Sequence, residues 1–429
     1  MTLVPNHRQQ SSGNSLLAIL IALIFMSCNA FKVVSGDNRE VVHSDSDSTD
    51  VEVIDVVIDD GPVIKDNENA SYITVDFFGK EYQVEPHKTE FRVALILPFH
   101  FDAKSNREER ISDYMVEYYQ GVKQALTNLE LYGLKLRLYV YDNENNLSKL
   151  KTILGTSSLK KMDVIVGPIG QEMIEEVSAY ALKHDIAVIS PITGIDSLPI
   201  KNGKLYSPTP NKNQKALRIA EYLKSEYKAS PVVLITDGST ASMEDAKLYK
   251  QILSQEGVKE VRLEEKVSSW STLLEKKKQT AVVVLSHKSS FVNLTLAQMY
   301  QADRDVMVFG EYTWSNFADN DYTFWNDLNV HLVASDYVND TLDQVVNFKL
   351  NYRLVNKTDP GVYAYLGYDQ FMFMGEFLLA FGEHFPEYIN GREFRYLSSN
   401  FHYKLENGCN RNTNVFLLRF KDFELQPIE

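Results

Sequence analysis

The chain has 429 residues, 44% hydrophobic and 24% charged, which supplies a sizeable core and more length than one ordinary domain needs. Its net charge of −14 is concentrated near the front, with −9 in residues 28–88 and −6 in residues 89–429. Beyond Lys276-Lys277-Lys278 there is no Lys/Arg-rich run, which argues against nucleic-acid binding, and the two distant cysteines, Cys28 and Cys409, provide no disulfide framework.

Residues 16–26, Leu-Leu-Ala-Ile-Leu-Ile-Ala-Leu-Ile-Phe-Met, follow a short polar segment containing Arg8. Eleven apolar residues are too few to span a bilayer but suit a secretory signal. The run ends in Phe25-Met26-Ser27-Cys28, which resembles a bacterial lipoprotein box, where a small residue precedes a cysteine that is acylated. Ser27 fits that pattern, whereas Phe25 and Met26 replace the usual Leu and small residue; the alternative is an ordinary signal peptide cleaved near Ala30. Residues 1–27 are therefore expected to be a lipoprotein signal peptide and Cys28 the lipidated residue. Several acyl chains, at ~0.8 kcal/mol per buried methylene, would anchor it firmly.

Residues 28–88 are expected to form a flexible acidic linker, since a stretch such as Ser44-Asp45-Ser46-Asp47-Ser48 cannot bury enough apolar surface to order itself. Random-coil scaling gives such a tether a reach of roughly 40 Å. Within it, residues 72–84 carry the pattern of a small hairpin around Gly79, of no evident role.

The globular part opens with a buried strand, Val93 to Pro98. A helix follows with Met115, Tyr118, Val122, Ala125 and Leu129 on one face. Leu134, Leu136, Leu138 and Val140 alternate with polar or amphipathic neighbours, predicting a half-exposed edge strand that ends in Tyr141-Asp142. From Asp163 to Gly194, two β-branched runs are joined by a helix at 171–183, the pattern of a βαβ unit with both strands buried. Turns at Gly167-Pro168-Ile169-Gly170 and Ile192-Thr193-Gly194 then fall at the carboxyl ends of parallel strands, where open α/β sheets bind ligands.

After Pro208 and Pro210 the pattern restarts with a helix at 212–227. Strands are expected at 232–236, 258–263, 281–285, 306–309 and 331–334. Helices at 342–354 and 362–381 and strand-like segments at 401–405 and 415–420 finish the chain. The order predicts an α/β fold of two doubly wound parallel-sheet lobes with an interlobe cleft.

These features together resemble the type 1 periplasmic binding protein family, the bacterial receptors for branched-chain amino acids and their relatives. The resemblance is carried by Leu97-Pro98, Tyr119-Gln120-Gly121-Val122, Tyr141-Asp142, Asp163 to Pro168, Val188-Ile189-Ser190-Pro191, Tyr206 to Pro210, and Pro360 with Tyr363 to Asp369. It is strongest to a lipoprotein branch like that of Bacteroidetes sequences; no LysM module accompanies it here. The resemblance implies three crossovers between lobes and closure on a small polar ligand. We expect lobe 1 at 89–209 plus 339–396 and lobe 2 at 210–338 plus 397–429. Tyr368-Asp369 is expected to brace a loop.

In amino-acid receptors of this family a serine or threonine lies four residues after the glycine matching Gly167, and another hydroxyl ends the turn after the fourth strand. Here those positions are Gln171 and Gly194, with Thr193 one step away. The usual amino-acid clamp is thus altered. The candidate ligand-binding set is Gln171, Thr193, Asp237, Ser239, His287, Glu311 and Trp314, with Glu311 and Trp314 as a carboxylate and an aromatic plate at a cleft lip. Against these stand the plainer roles of helix cap for Asp237, surface residue for His287 and Gln171, and core residue for Trp314.

No Gly-x-Gly-x-x-Gly, Walker loop, Gly-x-Ser-x-Gly elbow or paired-histidine zinc spacing occurs. The expectation is therefore a non-enzymatic solute receptor without cofactor or metal. It would sit in the cell envelope, anchored by its N-terminal lipid to the periplasmic face of the outer membrane, with an ABC-type transporter as partner. The alternative is an interaction or regulatory lipoprotein, for example controlling cell-wall synthesis, with a degenerate cleft.

Overall fold

The structure is a computed structural model that describes residues 72–192, 202–226, 231–265, 267, 269–274 and 279–428, together with the backbone of 51–56. The expected signal peptide, Cys28, Thr193 and Gly194 lie outside the described residues. No helix among the described residues is long and apolar enough to cross a membrane.

Two mixed sheets, each with a parallel centre, form the two lobes. In spatial order the first contains Val51–Val56, Lys135–Asp142, Glu90–Leu97, Val164–Val166, Ala187–Ile189, Leu205–Ser207, Cys409–Asn412, Asn400–Glu406 and Glu393–Arg395. The second contains Val261–Glu264, Val232–Thr236, Thr280–Leu285, Val306–Glu311, Val330–Ala334, Phe416–Lys421 and Glu424–Ile428. Central strands are buried on both faces, so alternation is replaced by continuous apolar runs. Val93, Leu95 and Leu97 enter one core cluster and Ala94 and Ile96 the cluster on the opposite face. Val232 and Leu234 part from Val233 and Ile235 in the same way in the second lobe.

The chain passes between sheets three times: after Ser207, after Ala334, and between Asn412 and Phe416. Asn412 ties two of these passages together. Its amide donates to Pro208 O and Asn400 O, both at 2.8 Å, and its Oδ1 accepts from His402 N and Asn414 N. The start of the second passage is held from both sides through one residue, Tyr337, whose N donates to Ser398 O and whose Oη donates to Leu425 O.

The strands Asn400–Glu406 and Cys409–Asn412 belong to the first sheet, beyond the expected boundary at 397; only Phe416 onward joins the second. The second of them, Cys409-Asn410-Arg411-Asn412, is polar and carries no apolar alternation that would have placed it. The strand over 135–142 is not an edge, because Val51–Val56, inside the segment expected as tether, pairs antiparallel along it. The hairpin Ile73–Phe77 with Lys80–Val84 is likewise docked, with Phe77 4.9 Å from both Phe377 and Phe381 between ring centroids.

The long first helix, Asn106–Leu131, lies across the late helix, Val362–Phe381. They cross at two glycines, where an added Cβ would meet backbone: Ala364 O at 2.0 Å from Gly121 and Tyr118 O at 2.1 Å from Gly367. At the end of the late helix's second turn, Asp369 is fully buried and accepts hydrogen bonds from Leu397 N, Ser398 N, Ser398 Oγ and Ser399 N. It braces the 397–399 loop, whose Ser398 carbonyl receives the second interlobe passage.

Candidate functional site

In the second lobe, the loops leaving the parallel strands at Thr236, Leu285 and Glu311 converge on a cleft of about 250 Å³. Helix Lys212–Glu226 contributes Lys212 and Lys215 to its wall, and helix Thr240–Gln255 contributes Ser242, Asp245 and Tyr249. Parallel strands end on one edge, so successive loops arrive side by side there.

The Asp237-Gly238-Ser239 turn is built by local bonds. Asp237 Oδ1 accepts from Ser239 N at 2.9 Å, Gly238 takes φ +74°, and Ser239 caps the following helix by accepting from Ser242 N. Ser242 in turn donates to Leu285 O and accepts from Asp237 N, joining two strand ends. Asp237 Oδ2 accepts from Ser286 Oγ at 2.8 Å and pairs with Lys288 Nζ at 3.3 Å. Burial opposes its charge, but the bonds from Ser239, Ser286 and Lys288 prevail and hold its carboxyl well below the usual range. Asp237 is therefore a permanent anion engaged in bracing.

Two further ion pairs line the cleft. Lys215 Nζ lies 2.6 Å from Glu311 Oε2 with both side chains mostly buried, and Lys212 Nζ lies 2.6 Å from Asp245 Oδ1. Burial raises the Asp336 carboxyl, an effect that Lys215 offsets in part. Burial, with Glu311 and Asp245 nearby, pushes the Tyr249 hydroxyl far above its ordinary value. The cleft thus presents ammonium and carboxylate groups in matched pairs. A ligand bearing both signs, or hydroxyls and amides, would exchange partners with these groups at little desolvation loss, whereas an apolar one would not.

Asp237, Ser239, His287 and Glu311 are thus brought together, with His287 exposed at the rim. Trp314 is not at a lip. It is fully buried, donates from Nε1 to Ser286 O at 3.0 Å, and fills the space beside Gly310, where a Cβ would meet its ring at 2.2 Å. Its role is to support the 286 loop from beneath. Gln171 stands exposed at the start of its helix in the first lobe and does not line this cleft. Sequence reasoning missed Lys212, Lys215, Asp245 and Tyr249, because side chains one helical turn apart point to a site only once the helix is docked.

At the facing strand ends of the first lobe, Asp142 accepts from Phe99 N, Phe101 N and Glu144 N, knitting two loops. Gly167 has φ +96°, and a Cβ there would lie 2.0 Å from Ile96 O, so only glycine makes this turn. Among the described residues no cluster of three or more His, Cys, Asp or Glu is placed to hold a metal ion.

A family profile described as periplasmic binding protein matches residues 112–380. No curated protein sequence matches the chain. Similar solved structures include a putative branched-chain amino acid ABC transporter from Rhodospirillum rubrum (12% identity, 79% of this chain and 100% of that one, TM-score 0.59). Another is the C-domain of LpoA from Haemophilus influenzae, a regulator of PBP1A (11% identity, 79% and 100%, TM-score 0.55). A third is an ABC transporter substrate-binding protein from Desulfitobacterium hafniense in complex with Leu (13% identity, 79% and 100%, TM-score 0.51). Two parallel-centred lobes joined by three passages, a strand-end cleft and a profile covering more than half of the sequence agree: the chain belongs to the type 1 periplasmic binding protein family.

Proposed function

We propose that this protein is an envelope-anchored solute receptor that closes its two lobes on a small polar ligand, amino-acid-like or derived from the cell wall. The observation that carries the reading is the strand-end cleft with its three ion pairs, Lys215–Glu311, Lys212–Asp245 and Lys288–Asp237. Glu311 and Lys215 would meet the ligand's charged ends, and His287 and Ser239 would line the rim. Gln171 and Thr193 would approach from the first lobe. Closure would be driven by contacts that exist only when both lobes touch the ligand.

In this reading Cys28 carries the lipid, the acidic segment gives reach, and the receptor works on the periplasmic face of the outer membrane, passing its ligand to an ABC-type transporter. The protein binds and does not catalyse. Replacing Cys28 by Ser should abolish labelling by an acyl-chain probe; continued labelling defeats the anchor.

One feature favours a second reading, that of a regulatory lipoprotein acting on cell-wall synthesis. The cleft's ions already satisfy one another, and Gln171 stands where the family's amino-acid receptors have a hydroxyl. Thermal melting against amino acids, sugars and muropeptides separates the two. A ligand at 100 times its Kd adds ~2.7 kcal/mol and raises the midpoint visibly. The receptor reading expects such a shift, lost in Lys215→Met. No shift from any compound, together with co-purification of a cell-wall enzyme, overturns it in favour of regulation.

A further inference from the structure

A second and larger concavity lies away from the strand-end cleft, on the outer side of the first lobe. Its volume is about 520 Å³. One wall is the unbroken run Ile73 to Phe78, and the other is formed by Tyr132, Gly133, Glu376, Leu379 and Ala380. In a strand, successive side chains point to opposite faces. A groove that touches every residue of such a run therefore follows the strand's edge rather than one face.

That edge is available. The strand Ile73–Phe77 pairs on one side only, with Lys80–Val84, and among the described residues nothing pairs with its other side. Every second residue of an antiparallel pair directs its N–H and C=O outward. At the far end Arg392 already donates to Phe77 O and Phe78 O, which leaves the stretch from Ile73 to Asp76 open. The hairpin is held in place, with Ile73 and Val75 packed toward the core, so the edge is a rigid template. Such an edge invites an added strand.

The chemistry of the walls narrows the occupant. Leu379 and Ala380 form an apolar floor, and Phe78 and Tyr132 stand half-exposed at the rim, 52% and 53%. Among the described residues that line the groove, the ionisable side chains besides Tyr132 are carboxylic, Asp76 on the strand and Glu376 on the late helix, and the cation at the far end, Arg392, is already bonded to Phe77 O and Phe78 O. Glu376 accepts from Tyr396 Oη, which keeps it oriented.

We propose that this groove receives an extended segment of a partner protein as an additional strand along Ile73–Asp76. Apolar side chains at alternate positions of that segment face Leu379 and Ala380, and a lysine or arginine between them, on the opposite face, meets Asp76. The site is independent of the strand-end cleft. It gives the hairpin, otherwise an appendage, a purpose as a docking edge.

The test uses the full-length protein in detergent and three synthetic octapeptides: alternating valine and lysine, alternating valine and glutamate, and four valines followed by four lysines. Binding is read by fluorescence anisotropy and by hydrogen exchange of the Ile73–Asp76 amides. The expected result is saturable binding of the alternating valine–lysine peptide alone, with slowed exchange at those amides. Asp76→Lys should weaken it by about tenfold or more, and Asp76→Asn, which keeps the oxygen that accepts from Gly79 N in the hairpin turn, should weaken it less but measurably at unchanged Tm. Absence of binding, equal binding of all three peptides, or indifference to Asp76→Lys overturns the proposal. A concentration-dependent dimer that protects the same amides without peptide overturns it too, by showing that the edge serves a second copy.

Discussion

The crossing of the first and late helices gives the sharpest stability prediction. Ordinary van der Waals contact begins near 3.4 Å, so a methyl group at Gly367, 2.1 Å from Tyr118 O, is too close by about 1.3 Å. The obstacle is a carbonyl inside a helix, which cannot swing aside as a side chain can. The helices must part, loosening Val122, Ala125 and Leu129 from Phe371 and its neighbours in the same core. Overpacking of this kind costs about 1–3 kcal/mol, with the upper end fitting a backbone obstacle, and alanine returns about 1 kcal/mol over glycine in a helix. Gly367→Ala should therefore lose about 2 kcal/mol net. Gly121→Ala, facing Ala364 O at 2.0 Å, should behave alike. The double variant should cost less than the sum, because the separation is made once. Urea unfolding followed by circular dichroism measures all three through the midpoint at constant m. A neutral or stabilising Gly367→Ala, or strict additivity, refutes the close crossing.

His331 is fully buried between Asn329 O and Tyr222 Oη, and burial lowers its pKa to about 4. The unfolded chain protonates near 6.5 while the fold resists until about 4, so stability should fall with pH across that window, by about 3 kcal/mol in all. Asp369 has the opposite sign: burial raises it to about 6, its four donors restrain the rise, and stability falls as pH climbs from 3.8 to 6. Denaturant titrations at pH 4.5, 5.5 and 7 should show the two offsetting in the parent chain; in Asp369→Asn the loss toward acid should steepen, and an unchanged slope contradicts the assignment. Trp314→Ala should cost about 3–5 kcal/mol, as for a core aromatic, against under 1 kcal/mol for a surface lip residue; calorimetry distinguishes them. Glu311→Gln should lower Tm by several degrees, because it leaves Lys215 without its partner in a mostly buried ion pair, and should also abolish any ligand-induced shift; a retained shift removes Glu311 from the ligand's path.

The sequence by itself determined the fold class and nearly every strand of the two parallel centres. Val232–Thr236 falls where its apolar run put it, because a strand buried on both faces must be apolar throughout, and the helix Val362–Phe381 falls where its helical pattern after Pro360 put it. It also marked Asp237, Ser239, His287 and Glu311, since the ends of parallel strands share an edge whatever the loops contain. Only the tertiary structure decided what depends on partners distant in the chain. Cys409–Asn412 is a strand because Leu205–Ser207 offers it an edge, not because its side chains alternate. Val51–Val56 leaves the acidic segment to cover another such edge. Lys215 reaches Glu311 from 96 residues away, and Trp314 lies under its loop rather than at a lip. Local pattern records how a segment can bury itself; which surface it is buried against is settled by the assembled lobes.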